Sequence, residues 1–222
     1  MEIHPFILGG YGVSAYVVSA DGEAMVIDAP QGAEAIIAFC DARGLVPRLL
    51  VNTHGHADHI HANRLLKERW PDLAIAVGAG DARLLGSPMR NLSPLMGAWV
   101  KSPPPDRLLQ DGDRIELGSV SFEVLATPGH TKGGISLFSA DGPGGRPAVF
   151  TGDTLFAGGI GRTDFPGGSH ETLLESIRKR LLVLPPETAV YPGHPGTATG
   201  RAVAGGPPST VAEEARTNPF LL

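Results

Sequence analysis

Residues 53–59 read Thr-His-Gly-His-Ala-Asp-His, directly after the apolar run Leu49-Leu50-Val51. Three of the chain's eight histidines and an aspartate fall there within six positions. Imidazole and carboxylate together are the usual ligands of a borderline-soft divalent metal. His54 and His56, in a tight loop, can chelate one ion. Asp58 and His59, one turn further on, can reach another.

Working outward, three more strand ends deliver the same residue types. Residues 124–126 run through Thr127-Pro128-Gly129 to His130, residues 149–152 lead to Asp153, and Val190-Tyr191-Pro192-Gly193 leads to His194. Thr-Pro-Gly-His and Tyr-Pro-Gly-His are one device used twice: a strand, a sharp corner, then a histidine aimed inward. Strand ends gathered at one edge of a sheet are where α/β proteins place their sites. A single histidine after a strand is more often a satisfied polar residue than a ligand, but four strand ends with such residues leave little room for that reading. Five histidines and two aspartates exceed what one four-coordinate zinc needs. They fit two ions if one carboxylate bridges, an arrangement that acidifies a shared water to about pKa 7. Two divalent ions are therefore expected, zinc first, with iron or manganese compatible.

The remaining candidates carry weaker signals. Asp28 ends the strand Met25-Val26-Ile27, where a carboxylate either orients a ligand from behind or caps the turn before Pro30. His61, one position past the cluster, reads as an outer or packing residue. His170 reads as an exposed helix start, and His4 carries no signal.

Alternation predicts strands at 3–8, 15–19 and 24–27, the last two joined by the turn Asp21-Gly22. A helix is expected over 33–43 with Gly44 beyond its end, then a buried strand at 49–52 and a helix over 58–69 stopped before Pro71. The second half predicts a hairpin of 114–117 with 121–126, strands at 135–139 and 148–151, a helix over 171–182, and a short strand at 189–191. Strand and helix alternate throughout, so sheets flanked by helices are expected.

Composition narrows the function classes. With 18% charged and 42% hydrophobic residues the 222-residue chain is globular, and one domain over 1–222 is the default. A net charge of −5 argues against a nucleic-acid partner. No apolar run reaches membrane-span length. Cys40 is the single cysteine and lies in an apolar stretch, so no internal disulfide is possible and Cys40 reads as core. Without a signal-like segment after Met1, a cytoplasmic location is expected. The sequon Asn91-Leu92-Ser93 reads as coincidence. Residues 195–209, rich in Gly, Pro and Ala, read as a flexible loop. The oligomeric state is not legible.

With these motifs in hand, the chain resembles the metallo-β-lactamase-fold hydrolases, and within them the glyoxalase II-like (hydroxyacylglutathione hydrolase-like) group. The carriers are THGHADH, TPGHTKGG, TGDTLFAGGIGRTDFPGG and YPGH. The likeness runs over 16–191 and resumes in the tail TVAEEARTNPFLL. It implies a four-layer αββα sandwich with metals at one edge of its two sheets. It also implies that His54, His56 and His130 hold a first ion, that Asp58, His59 and His194 hold a second, and that Asp153 bridges them. The implied activity is hydrolysis of a thioester, a 2-hydroxyacylglutathione above all, with Asp58 also taking up a proton. Arg162, in Gly161-Arg162-Thr163-Asp164-Phe165, either meets an anionic substrate or forms a structural ion pair. Asp153 argues against a true β-lactamase. The runner-up is a persulfide dioxygenase with one iron on two histidines and an aspartate, and a third class is a non-catalytic metal-binding member. Three departures stand out: no basic helical domain follows to grip glutathione, residues 195–205 intervene after the last histidine, and His61 stands where the family often has a small residue.

Overall fold

Side chains alternate along a strand, so a strand that is apolar at every position must bury both faces. The central strands of this chain are largely of that kind, and most of their positions are buried. The computed structural model, which describes residues 1–195 and 209–222, arranges them in two six-stranded sheets. In the first, β1 (Glu2–Leu8), β2 (Val13–Ala20) and β3 (Glu23–Ile27) run antiparallel. Three strands join in parallel: β4 (Pro47–Asn52), β5 (Ala74–Gly78) and β6 (Arg107–Leu109). In the second, β7 (Arg114–Leu117), β8 (Val120–Ala126), β9 (Ile135–Ser139) and β10 (Ala148–Gly152) are antiparallel neighbours. A small hairpin, β11 (Leu155–Phe156) with β12 (Gly159–Ile160), follows. Then β13 (Ala189–Pro192) lies parallel to β10, and β14 (Ser209–Thr210) closes the edge.

Alternation sorts these strands into three cores. Tyr16, Val18, Met25 and Val51 meet Phe122, Val124, Phe150 and Tyr191 between the sheets. Their neighbours Ala15, Val17, Val26 and Leu50 point the other way, onto α1 (Glu34–Arg43), α2 (Ala57–Ile60), α3 (Asn63–Arg69) and α4 (Ala82–Leu85). Cys40 of α1 is fully buried in this core. On the far side, Leu125, Val149 and Val190 cover α5 (His170–Ser176) and α6 (Val211–Thr217). The result is the expected αββα sandwich. Phe150 marks its centre, with its ring 5.1 Å from both Tyr16 and Tyr191.

Two expected helices are broken, each for a visible reason. The helix over 58–69 stops at Ile60 and restarts at Asn63. The carbonyl of His59 accepts from Ala29 N at 2.7 Å and from Asn52 Nδ2, while Ala62 N donates to the Ala29 carbonyl at 2.8 Å. Bonds to a neighbouring strand end have replaced bonds along the helix. The helix over 171–182 is α-helical only to Ser176 and then widens into a π turn, Ile177–Leu181. Its inward residues Leu173, Ile177 and Leu181 are spaced by four, which drifts around an α-helix, and the wider turn brings Leu181 back to the sheet. The expected loop at 195–209 lies, except for its two end residues, outside the described residues. Among the described residues no helix is long and apolar enough to cross a membrane.

Candidate metal centre

All four ligand-bearing strands end at one edge. β4 leads into His54 and His56 and, through α2, to Asp58 and His59; β8 leads to His130, β10 to Asp153 and β13 to His194. The corners need glycine. At Gly193 a Cβ would sit 2.4 Å from Asp153 Oδ1 and 2.9 Å from the backbone of Gly152. At Gly129, with φ +132°, it would strike the backbone of Leu173 at 2.4 Å. Strand, corner and ligand are thus packed to backbone contact.

The side chains converge in three overlapping groups: His54, His56 and His130; His54, Asp58 and His59; His59, Asp153 and His194. Asp153 lies between them. Its Oδ2 is 3.6 Å from His130 Nε2 and 3.5 Å from His194 Nε2, and its Oδ1 is 3.4 Å from His59 Nε2. Asp58 Oδ2 stands 3.5 Å from His194 Nε2.

The outer partners of the rings decide which nitrogens face inward. His130 Nδ1 donates to the carbonyl of Arg162 at 2.7 Å, and His194 Nδ1 donates to that of Tyr11 at 3.1 Å. His59 Nδ1 donates to Asp28 Oδ2 at 2.8 Å. Thr53 gives its hydroxyl proton to Asp28 and accepts from His54 Nδ1 at 3.2 Å. Four histidines therefore turn Nε2 toward the centre, and His56 adds its Nδ1, 2.9 Å from His130 Nε2. His54 Nε2 and Asp153 Oδ1 are buried without any hydrogen-bond partner. Orphaned buried acceptors cost free energy unless a cation satisfies them. The donor set fits divalent metal.

Electrostatics divides the centre. Burial, with His59 nearby, pushes His54 well below its ordinary value, and burial with His130 beside it pushes His56 to about 3. These rings stay neutral, as ligands must be. Burial alone would also lower His59 and His194, but Asp28 and Asp153 on His59, and Asp153 and Asp58 on His194, outweigh it and raise both. Burial would raise Asp58 and Asp153, but the imidazoles, His59 foremost, hold both low.

The centre opens into a cavity of about 770 Å³, within the usual range for small-molecule sites. Leu92, Leu95, Met96, Phe156, Ile160 and Phe165 give it apolar walls. Arg162 lines it too, but its guanidinium is engaged by Asp164 at 2.8 and 2.7 Å and stacks 3.8 Å over Phe165. That hydrogen bonding holds Asp164 down to about 2. Of the two readings of Arg162, the geometry displays the ion pair. Asp28 shows the orienting arrangement, while His61 joins none of the ligand groups and His170 is exposed at the start of α5. Asn91 is fully buried with its amide on the Val100 carbonyl, so the sequon is no glycan acceptor.

The sequence reading missed Asp81. Its carboxylate accepts from Gly55 N at 2.9 Å and Gly133 N at 2.8 Å, clamping the loop between His54 and His56 to the loop after His130. Nothing local in Gly80-Asp81-Ala82 signals this role.

Residues 8–194 match the family model of the metallo-beta-lactamase superfamily. The chain belongs to that superfamily. It is 34% identical to the probable metallo-hydrolase YqgX of Bacillus subtilis, over 96% of this chain and 94% of the relative. It is 36% identical to the hydroxyacylglutathione hydrolase GloC of Haemophilus influenzae, over 89% and 87%. Among solved structures it is similar to the B3 metallo-beta-lactamase BLEG-1, with a TM-score of 0.87 and 32% identity over 99% of both chains. It is also similar to the di-iron-bound form of TTHA1623, with a TM-score of 0.82 and 36% identity over 98% and 99%. Family and donor cluster together identify a metal-binding protein of hydrolase type.

Proposed function

We propose that this chain is a binuclear metal-dependent hydrolase that cleaves a thioester, with a 2-hydroxyacylglutathione as the substrate class. The observation that carries this reading is the position of Asp153, within 3.6 Å of histidines from both halves of the cluster. In this reading His54, His56 and His130 hold one ion, Asp58, His59 and His194 the other, and Asp153 both. Zinc is the first expectation; the di-iron form of TTHA1623 keeps iron in view, and manganese suits the same donors. When bound, such a pair supplies a polarised acyl carbonyl and a water acidified to about pKa 7. In this reading Asp58, partly exposed at the cavity wall, also takes up a proton. A thiolate leaves without a strong acid. The apolar walls suit the acyl group and exclude water around it. GloC, a hydroxyacylglutathione hydrolase by name, supports the substrate class.

Two rivals remain. A persulfide dioxygenase needs one iron on two histidines and an aspartate with open positions for oxygen, and seven converging donors count against it. The likeness to BLEG-1 favours β-lactam hydrolysis, against the expectation drawn from Asp153. The complete donor set speaks against a non-catalytic member. The test is metal content per chain, followed by separate assays of zinc- and iron-loaded protein. The substrates are a lactoylglutathione-type thioester, glutathione persulfide with oxygen uptake recorded, and a β-lactam. Two ions and anaerobic thioester cleavage are expected. One iron with oxygen consumed on persulfide, or β-lactam turnover exceeding thioester turnover, overturns the proposal.

A further inference from the structure

Beside the metal-centre cavity lies a second one of about 350 Å³. Consecutive residues face the two. His130 lines the first while Thr131 and Lys132 line the second, and Phe165 lines the first while Pro166 and Gly167 line the second. Leu92 lines both and forms the partition. It is held at φ 68°, a conformation costly for leucine. Asn91 pins it there: Nδ2 donates to the Val100 carbonyl at 2.9 Å, Oδ1 accepts from Ser93 N at 3.1 Å, and the Asn91 carbonyl accepts from Ala57 N at 2.8 Å. The partition is thereby tied to α2, the helix that carries Asp58 and His59.

The second cavity is cationic. Lys132 and Arg90 are exposed in its wall, and neither side chain has an ion pair or hydrogen bond among the described residues. The acid there, Asp81, is buried with its two oxygens on the amides of Gly55 and Gly133. The Lys132 stem runs along Gly167, where a Cβ would lie 3.7 Å from Lys132 Cγ. Arg162 in the first cavity differs, since its Nε and Nη2 are already taken by Asp164.

We infer that Arg90 and Lys132 form the anion subsite for the thiol carrier. The acyl carbon sits at the metal centre, the carrier crosses Leu92, and a terminal carboxylate of a small peptide-like thiol lies between the two cations. The inference rests on the thioester reading of the centre. It locates carrier recognition beside the metal centre, on residues of this fold.

The test is calorimetric titration of metal-loaded protein with S-methylglutathione, a thioether that cannot be hydrolysed, and with its dimethyl ester. The wild type is expected to bind the diacid more tightly than the diester. Arg90→Ala/Lys132→Ala is expected to weaken the diacid roughly tenfold and leave the diester unchanged, as for two surface ion pairs, with the thermal midpoint kept. Equal binding of diacid and diester by the wild type, no binding of either, or an unaltered double variant overturns the inference. Failure of the parent reading looks different. Diacid binding through these residues without any thioester turnover sinks the hydrolase proposal alone, whereas thioester turnover with KM unmoved in the double variant sinks the subsite alone.

Discussion

Asp28 Oδ2 lies 2.8 Å from His59 Nδ1, and both residues are buried. The same carboxylate accepts from Thr53 N and Thr53 Oγ1, each at 2.8 Å, and Asp28 itself sits at φ 59°. One side chain thus sets the ring of His59 directly and that of His54 through Thr53. Asp28→Ala leaves a buried ring N–H and a buried amide unpaired. It should cost about 3–5 kcal/mol in the metal-free chain and lower metal affinity roughly 10- to 100-fold. Chelator competition measures the second effect. Wild-type affinity in the variant would show that Asp28 merely ends a strand.

Gly193 tests the position of Asp153 without substituting a ligand. A methyl there lands 2.4 Å from Asp153 Oδ1 and 2.9 Å from both Gly152 C and His59 Cε1. Gly193→Ala should displace the carboxylate, and the expected metal content falls below that of the wild type, approaching the loss expected for Asp153→Ala. Elemental analysis of both variants, purified alike, reads this out. Two ions per chain in Asp153→Ala would refute the bridging assignment.

The electrostatics gives the metal-free chain a stability maximum near pH 6.5. His54 and His56 are held below 6.5 when folded, so the unfolded chain binds more protons below that pH, and stability falls with pH, for His56 down to about 3. Asp58 and Asp153 are also held low and add to the loss below the usual carboxylate range. His59 and His194 are raised, so their contribution is complete below 6.5 and is lost as pH rises through their folded values. Thermal midpoints of chelator-treated protein across pH should trace this arch. A midpoint that climbs steadily past neutrality would contradict it.

Much of the fold and centre was legible because the signals are local. A Pro-Gly corner and a histidine directly follow an apolar run, so strand, exit and ligand occupy one short window. What stayed hidden depends on distant partners. β5 is only Ala-Ile-Ala-Val-Gly, and β6 is three residues after Pro103-Pro104-Pro105, so neither has enough length to show a period. The break at His61-Ala62 is imposed by Ala29 across the fold. Asp81 and Arg90 act beside loops far from them in sequence, and no spacing rule connects them. Arg162 carried two readings because nothing local says whether Asp164, two residues on, will take its charge.

The tail supplies the last prediction. Glu214 of α6 is buried, and its Oε2 accepts from Gly158 N at 3.0 Å and Asn218 Nδ2 at 2.8 Å. Asn218 Nδ2 also donates to the Gly159 carbonyl at 3.0 Å. Both glycines belong to the β11–β12 hairpin, which places Phe156 and Ile160 in the cavity wall. Glu214→Ala leaves a buried amide unpaired and should cost about 1–3 kcal/mol. It should also raise KM more than it lowers kcat, because the wall moves while the metal ligands do not. Glu214→Gln keeps a carbonyl oxygen able to accept both bonds, so it should stay within about 1 kcal/mol of the wild type with a normal KM. Urea unfolding and steady-state kinetics on the pair decide the matter: if the two variants behave alike, the tail does not brace the hairpin.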